Sequence, residues 1–245
     1  MKKIDKINYL LFHRIIKKNN KLIYNEDIDI IFFIKILDLI QDYRKNKNFI
    51  QSKIVLTFDD GNISDHTYAL KELKKINLSS YFFIVPKLVG TKNFLNWDMV
   101  KDLRKNNMII GSHSLSHKSL TSLDIRDATY EMEKSKEIIE NKLNEKIDSF
   151  SFPFGNFSSK LIKIAKKIGY RKIFTSKHGI SKNNDIYFKR NSLNKLMKLN
   201  DVRKILEANK YTRLKWFVED NLKYPLKNTL SERDYLRLRK ILLNR

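Results

Sequence analysis

Two adjacent carboxylates stand at the end of an apolar segment in "VLTFDDG", residues 55–61, where Asp59 and Asp60 follow Phe58. Neighbouring acids at the end of a buried strand repel each other and resist burial unless positive charge lies beside them. Because side chains alternate in direction along a strand, the two aspartates can also take different roles. The pair therefore indicates a site where other residues or a bound cation offset the charge.

A pair of histidines follows another apolar segment, in "GSHSLSHKSL". An i, i+4 spacing on a helical turn would put the imidazoles of His113 and His117 on one face, a geometry that lets two histidines bind one metal ion. A lone histidine is more often an ordinary core or surface residue, but this pair together with an acidic strand end favours a metal site. Because the chain has no cysteine, the ligands of such a site must be His, Asp or Glu.

One aspartate can complete a site of two histidines and one carboxylate with open positions, as in zinc hydrolases and some iron enzymes. The other aspartate can then stay unliganded and accept a proton from water at the metal. The spacing alone does not decide which of Asp59 and Asp60 takes which role.

Seven short apolar segments that end in polar residues read as strands: "NYLLFHR", "KIVLTFDDG", "SSYFFIVP", "MIIGSHS", "IDSFSFPFG", "RKIFTS" and "IYFKRNS". The segments between them have helical spacing: 28–45, 65–76, 97–106, 124–143 and 158–168, with Asp65 and Ser158 as N-caps. This alternation predicts an α/β fold with a parallel sheet, either open or closed into a barrel. About seven strands fit a barrel, so a distorted (β/α)7-type barrel is expected. The C-terminal strand ends of such a barrel converge on one mouth, so His13, the aspartates, the histidine pair and Phe154 are expected there.

The strand pattern stops near residue 200, and the remaining segment reads as helices with a turn around Pro225. We therefore predict a catalytic domain over residues 1–200 and a C-terminal helical extension over residues 201–245. The most apolar long stretch, "DIDIIFFIKILDLI", contains Asp29, Lys35 and Asp38, so a helix of the folded domain is expected there and not a membrane span.

The net charge of +23 is compatible with an anionic partner such as nucleic acid, a phospholipid surface or an anionic glycan. The lysines are spread along the chain and no arginine-rich or aromatic-basic module is visible, so a generally basic surface is favoured and no specific nucleic acid is expected. The first residues lack the apolar core and cleavage site of a secretion signal. These features predict a cytoplasmic protein that can contact an anionic membrane surface peripherally.

Taken in order, the motifs resemble those of the polysaccharide deacetylases of carbohydrate esterase family 4, which share the NodB homology domain. "TFDDG" is similar to the first motif of the family, "HSLSH" to the second and "FSFPFGNFS" to the third. The connecting segments "FLNWDMVKDL", "AKKIGYRKIFTS" and "YFKRNSL" match in order and spacing, so the resemblance runs from about residue 7 to 195. One such motif is weak evidence, whereas all of them in order are strong evidence.

The resemblance implies a role for each matching residue. Asp59 would be the catalytic base, and Asp60, His113 and His117 would hold a divalent metal ion, with zinc expected. The backbone N–H of Phe154 would donate to the oxyanion of the reaction intermediate.

The sequence departs from the family pattern in three places. Ser151 stands where many members have an arginine that contacts the catalytic aspartate, so that contact is missing or comes from elsewhere. The Asp-rich fourth motif is not recognisable. The late Leu-x-x-His motif is also absent, but "LLFH" at residues 10–13 resembles a permuted arrangement found in a subset of the family and makes His13 the expected catalytic acid.

The resemblance implies hydrolysis of the N-acetyl group of an amino sugar in a polysaccharide, an oligosaccharide or a lipid-linked glycan precursor. Two alternatives belong to other classes. A catalytically impaired relative would bind a glycan or a membrane without releasing acetate, and a basic nucleic-acid-binding protein would bind in a salt-dependent way that survives chelation.

Overall fold

The computed structural model describes residues 5–17, 20–45 and 52–229, and a curled, mainly parallel sheet forms its centre. The strands are β1 (Lys6–Phe12), β2 (Arg14–Ile16), β3 (Asp27–Asp29), β4 (Lys53–Phe58), β5 (Tyr81–Ile84), β6 (Ile109–Ser112), β7 (Ser149–Ser151), β8 (Lys172–Phe174), β9 (Ser181–Lys182) and β10 (Arg190–Ser192). The main sheet has the order β10-β1-β4-β5-β6-β7-β8, β9 pairs antiparallel with β1, and β2 pairs with β3 separately. A parallel bridge between Phe174 and Phe188 brings the two sheet edges toward closure. The predicted α/β, barrel-like fold is confirmed.

Seven helices are described: α1 (Ile30–Lys45), α2 (Lys71–Lys75), α3 (Trp97–Lys105), α4 (Ile125–Leu143), α5 (Ser159–Ile168), α6 (Leu199–Glu207) and α7 (Lys210–Thr229). Ser158 caps α5 as predicted, since its side chain accepts from the N–H of Leu161, and Gly169 ends the helix at φ 103°. Asp65 is not an N-cap. It is the first residue of a π-helical segment, Asp65–Leu70, that leads into α2.

The chain divides into two compact units, Met1–Glu207 and Ala208–Arg245. Helix α7 belongs to the second unit and continues through Pro225, so the predicted turn at that residue is wrong. Proline fixes φ at a value close to the helical one, so a proline alone is not sufficient evidence for a turn. Residues 230–245 of the predicted extension lie outside the described residues. In the part of the chain that the structure describes, no helix is both long and apolar enough to cross a membrane.

Along each strand, successive side chains point alternately to the inside and the outside of the curled sheet. Tyr9 is the register partner of both Val55 and Arg190, so these three side chains point to the same face. Tyr9 and Val55 pack there in a buried cluster with Phe83 and Phe174. This face is the barrel interior, and Arg190 is fully buried within it.

The opposite face of the sheet packs against α1. Phe12 and Phe58, which end β1 and β4, stack with ring centroids 5.2 Å apart, and Phe33 of α1 meets Phe12 edge to face at 5.3 Å. Phe58 points to the outside of the sheet. Because side chains alternate along a strand, the next one, Asp59, points to the inside, above the buried aromatic cluster. The strand pattern therefore aims Asp59 at Arg190.

Candidate active site

The structure brings Asp60, His113 and His117 together at the C-terminal ends of β4 and β6. Asp60 Oδ1 lies 3.1 Å from His117 Nε2 and 3.4 Å from His113 Nε2. One potential ligand atom from each residue lies within 4.8 Å of the others, and no second such group of acids and histidines occurs among the described residues. The three residues predicted to hold a metal ion thus lie together in the structure.

The two histidines reach this point from a loop, so the predicted helical turn is wrong. Residues 113–119 are non-helical, and Ser114 and His117 have left-handed φ angles of 63° and 59°. The Ser114 hydroxyl oxygen accepts a hydrogen bond from the His117 N–H at 3.1 Å, which holds the loop. Sequence spacing does not reveal left-handed residues, which reverse the direction of the chain within a few positions.

Backbone strain is concentrated around the cluster. Asp60 (φ 75°) and Phe154 (φ 58°) join Ser114 and His117 in the left-handed region, where residues other than Gly and Asn are uncommon. Each residue in this conformation lowers the stability of the fold by on the order of 1–3 kcal/mol, and residues under such strain cluster at functional sites.

The chemistry of the three side chains fits a divalent cation. His113 Nδ1 lies 2.8 Å from the carbonyl oxygen of Ser151, so this nitrogen carries the proton and Nε2 presents a lone pair toward Asp60. Burial, only partly opposed by the nearby aspartates, lowers the pKa of His113 to about 4, which keeps the ring neutral. Asp60 Oδ1 is buried and makes no well-aligned hydrogen bond within the described residues. Burial would raise the pKa of Asp60, but the rings of His117, His13 and His113 outweigh it and lower the pKa below its usual range.

Asp59 lies beside this cluster but is engaged differently. Its two carboxylate oxygens accept hydrogen bonds from Arg190 Nη1 and Nη2 at 2.7 and 2.8 Å, and the Ser151 hydroxyl is 3.2 Å from Oδ2. Asp59 Oδ2 is also 3.6 Å from His113 Nε2, farther than Asp60 is. Burial would raise the pKa of Asp59, but Arg190 and His113 outweigh it and lower the pKa below the ordinary 3.8. Asp59 is therefore an ionised carboxylate fixed next to the ligand cluster.

Arg190 is the functional residue that the sequence analysis missed. Its segment, "YFKRNSL", is matched as a family segment, but no role is assigned to the arginine there. The side chain enters from β10, donates to the Ser151 hydroxyl at 2.8 Å and lies over the rings of Phe83 and Phe174. The arginine contact that Ser151 cannot provide thus comes from another strand. The sequence did contain one indication of this role. Arg190 lies in the last predicted strand segment, and in a barrel the last strand lies beside the first.

His13 lies at the end of β1 on the same edge of the sheet. The chain on either side of it is tied to the site: the Asp59 N–H donates to the Phe12 carbonyl at 3.1 Å, and the Ile15 N–H donates to the Ser64 hydroxyl at 3.0 Å. The ring is close enough to both Asp59 and Asp60 to lower the pKa of each. His13 Nδ1 is buried without a hydrogen-bond partner among the described residues. The structure thus places His13 at the mouth where the sequence predicts it.

Phe154 borders the cluster from the loop after β7. Its ring lies 4.7 Å from that of His117, and the side chain is 54% exposed. The exposed ring lies beside the candidate ligands and forms part of the rim of the site.

Asp65 is a third buried acid near the site. Both of its carboxylate oxygens lack a hydrogen-bond partner in the described part of the chain, and the residue is fully buried. Burial, reinforced by the charges of Asp60 and Asp59, raises the pKa of Asp65 well above the ordinary 3.8. Burial thus disfavours the ionised form of Asp65, in contrast to the lowered pKa of Asp59 and Asp60.

A family model described as polysaccharide deacetylase matches residues 46–173, just over half of the 245-residue chain. The chain belongs to the polysaccharide deacetylase family. The match includes the aspartate pair, the histidine pair and the loop of Phe154, and ends before Arg190.

Two curated relatives of this deacetylase-family protein come from Bacillus subtilis (strain 168). YxkH is 29% identical over 126 residues, 51% of this chain and 45% of the relative. The peptidoglycan-N-acetylmuramic acid deacetylase PdaA is 30% identical over 132 residues, 53% of this chain and 48% of the relative. The chain thus spans about half the length of the curated relatives it matches. Among solved structures, the Streptococcus pyogenes deacetylase PplD in complex with acetate superposes with a TM-score of 0.71 at 21% identity, over 82% of this chain and 98% of PplD, and shows the same fold.

In this polysaccharide deacetylase-family protein, Arg190→Ala should lower the free energy of unfolding by roughly 3–5 kcal/mol, because it leaves Asp59 as an unpaired buried charge. The folded-state pKa of Asp59 lies below its ordinary 3.8, so the stabilisation is complete at neutral pH and is lost as the pH falls below about 4. Urea unfolding at several pH values measures it. The control Arg104→Ala removes the exposed pair with Glu145 and should cost less than about 1 kcal/mol. Equal losses in both variants at neutral pH would contradict the buried-pair account.

Proposed function

We propose that this protein is a metal-dependent hydrolase that removes the N-acetyl group from an amino sugar in a polysaccharide, an oligosaccharide or a lipid-linked glycan precursor. The observation that carries the proposal is the convergence of Asp60, His113 and His117 beside an ionised Asp59 that Arg190 holds in place. The family supports a deacetylase, and the name of PdaA supports an N-acetylated sugar as the substrate class.

Asp60, His113 and His117 would hold the cation, and one carboxylate with two imidazoles and no thiolate suits zinc. When bound, such an ion polarises the acetyl carbonyl and lowers the pKa of water from about 15.7 toward roughly 7.

Asp59 would act as the base that takes a proton from the attacking water. Both of its oxygens are held by Arg190, so it is fixed in position and is not drawn into the ligand set. The lowered pKa keeps it unprotonated and ready to accept. Asp60, which lies closer to the histidine nitrogens, takes the ligand role.

The amide bond breaks when the sugar nitrogen leaves as an amine, and this requires a proton. His13 would supply it from the end of β1. The backbone N–H of Phe154 would donate to the oxygen that becomes negative in the tetrahedral intermediate. The products are acetate and the free amino sugar.

The arginine contact also bears on the alternative of an impaired relative. An impaired relative was considered because Ser151 stands where many members of the family have an arginine that contacts the catalytic aspartate. Arg190 makes that contact instead, since both of its terminal nitrogens donate to Asp59. We therefore favour an active hydrolase.

The test is acetate release from N-acetylhexosamine oligosaccharides by the purified chain. The protein should bind about one divalent ion, lose acetate release when a chelator removes that ion, and regain it when zinc is added back. His113→Ala and Asp60→Ala should each weaken metal binding at least roughly tenfold. The control His66→Ala removes a histidine paired with Asp102 at 2.9 Å and should bind metal as the wild type does. Unchanged metal content in the His113 and Asp60 variants would refute the ligand assignment.

A further inference from the structure

Three exposed apolar side chains lie close together on two loops. Ile23 and Tyr24, in the connection between β2 and β3, are 64% and 57% exposed, and Leu196, after β10, is 73% exposed. We call Ile23, Tyr24 and Leu196 the apolar tip. Single exposed apolar residues need no explanation, but a cluster of them on a structured loop does.

The connection between β2 and β3 is held by one buried carboxylate. Asp27 accepts hydrogen bonds from the N–H groups of Ile23 and Tyr24 at 2.7 and 2.8 Å. The same carboxylate pairs with Arg14 at 2.8 and 3.0 Å, and the Arg14 guanidinium lies 4.4 Å from the centre of the Tyr24 ring. These bonds fix the backbone of the loop that carries the two exposed side chains.

Lys195 joins the second loop to the first. Its N–H donates to the Asn25 carbonyl at 2.9 Å, and its Nζ lies 3.4 and 3.3 Å from the carbonyls of Leu22 and Ile23. Leu196, the next residue, therefore lies on a loop that is hydrogen-bonded to the loop of Ile23 and Tyr24. The apolar tip is thus carried by two connected loops.

The tip lies on the same edge of the sheet as the candidate active site. Arg14, which contacts Tyr24, directly follows His13. The second loop begins where the Leu193 N–H donates to the carbonyl of Leu11, near the C-terminal end of β1. A surface that binds the tip therefore also faces the mouth of the site.

Basic side chains accompany the tip. Lys17, Lys21 and Lys198 are exposed on the same two loops. Of the acids beside them, Asp27 is buried against Arg14 and Glu26 is partly buried, so exposed lysines outnumber exposed acids there. Apolar side chains with a tyrosine among them and lysines around them match the interface of an anionic bilayer, where the apolar groups enter the headgroup region and the lysines meet lipid charge.

We infer that the apolar tip docks on the surface of an anionic lipid bilayer and holds the mouth of the site against it. A bilayer fits better than a sugar, because isoleucine and leucine offer a glycan no hydrogen bonds and one face of Tyr24 is covered by Arg14. It follows that the substrate is a glycan held at a membrane, and this consequence rests on the proposed function.

The test is co-sedimentation of the full chain with vesicles of phosphatidylcholine alone or with phosphatidylglycerol. The wild type should bind the phosphatidylglycerol vesicles, and binding should weaken as salt increases. The double variant Ile23→Ser, Tyr24→Ser should bind roughly 30-fold more weakly, because it loses most of the apolar area that enters the bilayer. The matched control Ile186→Ser, Tyr130→Ser changes the same residue types at 64% and 56% exposure elsewhere and should bind within about twofold of the wild type.

Other results would overturn the inference. These are no binding by the wild type, undiminished binding by the tip variant, or an equal loss in the control. If the tip variant instead raises KM for a soluble oligosaccharide, the tip is a sugar-binding surface. If it abolishes self-association seen in sedimentation velocity, the tip contacts a second copy of the chain. Vesicle binding requires no turnover, so an inactive protein that still binds through the tip would contradict the proposed function and leave this inference standing.

Discussion

Replacing Asp59 by asparagine should leave the metal in place and lower kcat for deacetylation by roughly 10²–10⁴-fold. Asparagine keeps the shape of the side chain but cannot accept a proton from water. Metal binding should persist, because the proposed ligands are Asp60 and the two histidines and do not include Asp59. Metal analysis and steady-state kinetics on the same preparation separate the two roles.

The same substitution should also reduce stability, since an amide does not neutralise the buried Arg190. Kinetics must therefore be measured well below the melting temperature of the variant. Ser151→Ala is the matched control: it removes one hydrogen bond to the same carboxylate and leaves its charge, so kcat should fall less than about tenfold. Loss of metal in Asp59→Asn would show that the roles of Asp59 and Asp60 are reversed.

The sheet could be predicted because each main strand lies within a longer segment that begins with apolar residues or alternates them and ends in polar ones. All seven predicted segments contain a strand of the main sheet. The strands that were not predicted, β2, β3 and β9, are only two or three residues long, and each contains a charged residue. So short a segment carries no periodicity, and its pairing depends on tertiary contacts.

Asp60, His113 and His117 lie together in the structure, although the helical turn that the sequence predicted for the histidines is wrong. Convergence of strand ends at one mouth already brings these residues near each other, whatever path the loop takes. The left-handed angles of Ser114 and His117 that complete the geometry cannot be predicted from the sequence, since residues other than glycine adopt this conformation in only a few per cent of cases.

Arg190 and Asp65 show what the sequence could not reveal. Lys189 and Arg190 are adjacent basic residues, and only the pairing of Arg190 with Tyr9 shows which of them points inward. Asp65 stands before a helical segment and looks like a cap, whereas the structure buries it beside two other acids. Both roles depend on residues distant in sequence.

His13→Ala should keep the fold and the metal but lower kcat on the N-acetylated glycan by roughly 10²–10⁴-fold, because a sugar amine is a poor leaving group without a proton. An activated acetate ester with a phenol leaving group needs no such proton, so the variant should hydrolyse it with a much smaller loss. The motivation is structural: His13 lies at the end of β1 near both aspartates, with a buried Nδ1 that lacks a partner among the described residues.

His66→Ala and His178→Ala are the controls for this selective defect, and both should resemble the wild type on ester and amide alike. His66 is paired with Asp102, and His178 lies in the loop between β8 and β9. If His178→Ala shows the amide-selective loss and His13→Ala does not, the acid lies in that loop and the permuted motif order is wrong. An equal loss on both substrates in His13→Ala would assign His13 a structural role, since removal of a general acid spares the substrate whose leaving group needs no proton.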